Sequence, residues 1–83
     1  MPRAVLGFEG SFDIASFQSF CFARARLLAL DLRIVHREAD RLTVCVSGND
    51  VLIDMFEVAA GLGPAGAVVD QVTRFSYPQA QAV

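Results

Sequence analysis

The sequence has no lysine; all seven of its basic residues are arginine, and nine acidic residues leave a formal net charge of -2. That balance excludes the broad positive footprint of a nucleic-acid-binding domain. Cysteine is scarce as well. Cys21 and Cys45 are far apart and belong to no CxxC or His/Cys spacing, so neither a local metal site nor a cofactor is expected, and both read as small reduced thiols. No apolar run approaches the ~20 residues of a membrane span, and the Met-Pro-Arg start lacks the long hydrophobic stretch of a signal peptide. No membrane partner is expected, and the cytoplasm is the expected compartment.

What the chain does have is apolar side chains. Of its 83 residues 54% are hydrophobic, and the mean hydropathy is +0.46. A chain this short makes one domain with a modest core. Apolar side chains are left over for the surface, which points to a second copy or another protein as partner.

Alternation in Ala4-Val-Leu-Gly-Phe8 puts Ala4, Leu6 and Phe8 on one face of a first strand. From about Asp13 to Ala29, the apolar positions Phe17, Phe20, Cys21, Ala25 and Leu28 recur at helical spacing, with Asp13 or Ser11 suited to cap the helix. Leu30 to His36 returns to a period of two, with Leu30, Leu32, Ile34 and His36 on one side and Asp31, Arg33 and Val35 on the other. After a polar turn, Arg37 to Arg41, Leu42-Thr-Val-Cys-Val46 completes a hairpin. Ser47 to Asp50 supplies a turn and cap for a second helix, Val51 to Leu62, which stops at Gly61-Leu-Gly-Pro64. Ala67 to Val72, continuing towards Phe75, is the last strand. The order βαββαβ, with right-handed crossovers, predicts a ferredoxin-like α+β fold: a four-stranded antiparallel sheet with both helices on one face. Residues 1–76 form the domain, and 77–83 are expected to be a loose tail.

The chain resembles the acylphosphatases, whose signature begins V-x-G-x-V-Q-G-V-x-F-R. Without gaps it falls on Phe8, Gly10, Phe12, Asp13, Ile14, Ala15, Phe17 and Gln18. The family's L-G-L then falls on Leu28-Ala-Leu30, its V-x-N on Ile34-Val-His36 and its D-G-x-V on Ala39-Asp-Arg-Leu42. Gly63-Pro-Ala-Gly-Ala-Val-Val-Asp-Gln-Val72 matches G-P-x-x-A-x-V-x-x-V throughout. The resemblance implies metal-free hydrolysis of carboxyl-phosphate anhydrides, with loop N–H groups and an arginine gripping the phosphoryl oxygens and an asparagine positioning the water.

At the positions that would do this, the chain departs from the family. The phosphate-loop equivalent is Asp13, Ile14, Ala15, Ser16 and Phe17. Asp13 replaces a neutral glutamine and would repel a phosphate, while β-branched Ile14 replaces a glycine. Gln18 stands for the arginine and cannot make its bidentate ionic contact. His36 stands for the asparagine; it is expected near Gln18, either as a general base or as a strand-end residue bonded to Gln18 or to backbone. Asp13 reads as a helix cap, with a catalytic acid as the functional alternative.

Elsewhere, Arg24 and Arg26 keep a helix face wet, and Arg33 and Arg37 share a strand face without helices, with Arg41 nearby. Phe22 is off the core stripe and reads as exposed contact surface. The sequence thus points to a catalytically degenerate acylphosphatase-like domain, a pseudoenzyme acting as an interaction, regulatory or self-associating module. The alternatives are an altered hydrolase using Gln18 and His36, and a small-molecule sensor of the ACT-domain kind, which has the same element order.

Overall fold

The computed structural model describes residues 2–76; the expected tail, 77–83, lies outside the described residues. The elements follow in the order β1 (Arg3–Ser11), α1 (Ile14–Leu27), β2 (Asp31–Glu38), β3 (Arg41–Ser47), α2 (Asp50–Leu62) and β4 (Val68–Ser76). The strands form one sheet in the order β2-β3-β1-β4, every neighbour antiparallel. This is the ferredoxin-like arrangement.

One face of the sheet is buried. Ala4, Leu6 and Phe8 of β1, Leu32 of β2 and Leu42, Val44 and Val46 of β3 meet Phe17, Cys21 and Ala25 of α1 and Ile53, Phe56 and Ala60 of α2. Phe8 lies at the centre, edge-to-face with Phe17 at 5.5 Å between ring centroids and with Phe56 at 6.5 Å. Phe8 thus touches both helices, although α1 lies mainly over β2 and β3 and α2 over β1 and β4.

Two irregularities change what period-two reading predicts. Ile34 pairs with Val44 and His36 with Thr43, so Val35 is an extra residue in β2. Cross-strand partners share a face. The bulge therefore turns His36 to the open face beside Thr43 and sends Arg37, opposite buried Leu42, to the helix side. Expected on Leu32's face, His36 lies on the other; expected beside Arg33, Arg37 is across the sheet. The hairpin turn is also tighter than Arg37–Arg41, since β2 runs to Glu38 and β3 starts at Arg41.

Two backbone positions carry testable strain. A Cβ on Gly10 would meet the Val68 carbonyl oxygen, with Asp70 N and Val69 Cα both at 2.9 Å. Backbone of β4 occupies that space, so only glycine fits. At the end of α1, Ala29 has φ 55, with its N–H bonded to Arg26 O at 3.1 Å and the Leu30 N–H to Ala25 O at 2.8 Å. That is a Schellman motif with alanine where glycine is favoured. Accordingly, urea unfolding of Gly10→Ala should show a loss of about 2 kcal/mol or more, and Ala29→Gly a gain of up to about 1 kcal/mol.

Candidate functional site

β1 ends at Ser11, and α1 begins at Ile14, with two residues between them. Asp13 is the cap: φ -75 and ψ 116 are extended, and its Oδ2 accepts the Ser16 N–H at 3.0 Å. Its backbone carbonyl takes the Phe17 N–H at 2.9 Å. Phe12, just before the cap, stacks on Phe17 with centroids 4.4 Å apart and planes 16° apart. This is a hydrophobic staple. Cap and staple together make the whole stretch a standard helix start, in which Ile14 and Ala15 are the first helical residues and Ser16 is the residue whose amide is capped. Neither Asp13 nor Ile14 has positive φ; among the described residues only Ala29 and three glycines do.

The carboxylate at this helix start is stabilised as an anion. Hydrogen bonding from Ser16 holds the Asp13 carboxyl below its ordinary value of 3.8, with a further contribution from the nearby Arg37 guanidinium. Arg37 is the residue that sequence reasoning missed here. Alternation puts it on the far face, and only the bulge at Val35 brings its charge to the Asp13 side.

Gln18 follows one turn into α1 and is half-buried; its Oε1 is buried without a hydrogen-bond partner. An orphaned acceptor of this kind costs about 1–3 kcal/mol. His36 does not complete a site with it. On the opposite side of the sheet, His36 Nε2 lies 2.9 Å from Glu38 Oε2. The hydrogen bond from His36 holds the Glu38 carboxyl below its usual range. The expected partners of His36, Gln18 or backbone, are replaced by Glu38.

Among the described residues, no three His, Cys, Asp or Glu side chains converge to hold a metal, and no helix is long and apolar enough to cross a membrane. Both cysteines are free. Burial pushes the Cys21 thiol up to about 12, which makes it unreactive. Cys45 lies half-buried on the open face, where Arg33, Val35 and Cys45 border a shallow depression of about 610 Å³. A smaller hollow of about 120 Å³ lies beside the Asp13 loop, between Phe12 and the turn at Pro64–Ala67.

No protein-family model matches the chain, and neither does any curated protein sequence. Solved structures do. An acylphosphatase from Bacillus subtilis superimposes with a TM-score of 0.81 at 17% identity, over 90% of this chain and 83% of that one. An acylphosphatase from Coxiella burnetii gives the same TM-score at 16% identity, over 90% and 79%. The chain has an acylphosphatase-like fold.

The cap and the orphaned amide each give a measurable consequence. Asp13→Ala should lower the melting temperature at neutral pH. A carboxyl with a depressed folded pKa stabilises above its unfolded value and loses that contribution as pH falls through the folded one. The gap between wild type and variant should therefore be constant well above pH 3.8 and close below it. Gln18→Met, which removes the orphaned acceptor at similar volume, should raise unfolding free energy by about 1 kcal/mol in urea titrations.

Proposed function

We propose that this acylphosphatase-like fold has given up the phosphate grip and works by association, as an interaction, regulatory or self-associating module. The observation that carries the reading is the Asp13 carboxylate seated on the Ser16 amide. The helix start at which an anion would bind already holds one, and it belongs to the chain itself. Gln18 adds no charge, and His36 is bonded to Glu38 across the sheet. A fold carries an activity only through the groups that perform it.

Two surfaces favour association. On the open sheet face, Arg33, Val35 and Cys45 border the shallow depression, with Arg33 Nε 3.5 Å from Asp31 Oδ2. On α1, Phe22 and Leu27 are exposed, and Arg24 lies 5.5 Å over the ring of Phe20. The free thiols accord with a reducing cytoplasm.

A second reading, an altered hydrolase of carboxyl-phosphate bonds, draws on one observation. Arg37 brings positive charge to the Asp13 side of the sheet and could meet an anion that displaces the Asp13 cap. In that reading Arg37, rather than His36, joins Gln18.

Acetyl phosphate hydrolysis separates the two. Wild-type protein should turn over no faster than buffer, and phosphate should leave its NMR spectrum unchanged. Gln18→Arg alone should not bind phosphate. Combined with Asp13→Gln and Ile14→Gly, it should produce saturable shifts of the loop amides. Wild-type turnover that is lost in Gln18→Ala or Arg37→Ala would establish the hydrolase instead.

A further inference from the structure

Helix α2 is apolar on two sides. Ile53, Phe56 and Ala60 face the core, while Val51, Met55, Val58 and Leu62 face away from it with 64%, 51%, 66% and 78% of their surface exposed. The outer four recur at intervals of four, three and four residues, the spacing of a coiled-coil seam, and run the length of the helix. An exposed row of large aliphatic side chains marks a contact surface. It lines a groove of about 460 Å³ with almost no polar wall.

We propose that this seam pairs with the same seam of a second copy, α2 against α2, antiparallel about a two-fold axis between Met55 and Val58. The inference rests on the association reading above and names the surface and the occupant. Three features select a second copy. First, the row is self-complementary: reversed on itself, it sets Val51 opposite Leu62 and Met55 opposite Val58, a large side chain against a smaller one at each level. Second, its acidic flank is already partly neutralised. Arg74 Nη1 of β4 binds both Asp54 Oδ1 at 2.7 Å and Glu57 Oε1 at 3.0 Å, which offsets part of the charge that two copies bring together. The other flank presents Leu52 and Ala59, and antiparallel order keeps the N-terminal Asp50 of the two copies at opposite ends. Third, a membrane surface is a poor match, because an interfacial helix carries lysine or arginine beside its apolar face and α2 carries neither.

Four side chains per copy make a small interface, so the expected dissociation constant is about 10 µM. Sedimentation equilibrium of the full chain up to about 300 µM should fit monomer and dimer. Met55→Glu or Val58→Lys alone should weaken the dimer at least about tenfold, through a charge buried without a partner, while the melting temperature at protein concentrations well below the dissociation constant stays unchanged. The double variant Met55→Glu/Val58→Lys should recover it, because opposite charges then face each other twice across the axis.

Four results would overturn the inference: a monomeric wild type, a dimer indifferent to both single variants, a double variant that stays monomeric, or growth beyond dimer with concentration. Binding to phosphatidylcholine/phosphatidylserine vesicles that Val58→Lys abolishes would overturn it in favour of a lipid surface. A monomeric wild type that turns over no acetyl phosphate leaves the association reading standing through other faces. Acetyl phosphate turnover by a dimeric wild type sinks that reading and leaves the dimer.

Discussion

The ring of Phe8 holds the molecule together. It sits in β1, one of the two inner strands, and it takes Phe17 of α1 and Phe56 of α2 edge-to-face. Each such pair contributes about 0.5–1.5 kcal/mol beyond the area it buries. The geometry matters more than the sum. A sheet with helices on one side needs contacts that set the distance of both helices from the strands, and Phe8 makes one such contact with each. Gly10, two residues on, lets β4 close against the same strand.

Phe17 carries this constraint into the loop. As a core residue it must face Phe8; as the fourth residue of α1 it also receives the stacked ring of Phe12. The path from β1 to α1 is therefore set from both ends, and Asp13 falls where its carboxylate meets the Ser16 amide. The helix start is satisfied from within the chain. The overall superposition matches the acylphosphatases, while the loop itself is set by one carboxylate on the Ser16 amide.

Element order, the inward face of β1 and β3, the inner face of α1 and the Asp13 cap were legible in the sequence, because each rests on a local period or a local hydrogen bond. The bulge at Val35 was not. Alternation falters at Ile34-Val35-His36, where two apolar residues run together before a polar one, but the extra residue is fixed only by the pairing with β3, and one extra residue reverses every side chain after it. His36 and Arg37 consequently exchange faces, which puts His36 on the side of the sheet away from α1 and Gln18. The outer seam of α2 escaped for a related reason. With apolar residues on both sides of the helix, the sequence marks a helix but not which side turns inward. Only packing on Phe8 decides, and it draws in the side that carries Phe56.

The same packing separates two surfaces. Val51, Met55, Val58 and Leu62 lie on the far side of the helix layer, while Arg33, Val35, Cys45 and the His36–Glu38 pair lie on or beside the open face of the sheet. The sheet and its core stand between them. A contact made by α2 leaves the open face accessible, and a partner on the open face leaves the α2 seam untouched. Each surface can therefore be covered without blocking the other, with the close-packed layer of β1, β3 and the Phe8 ring between them.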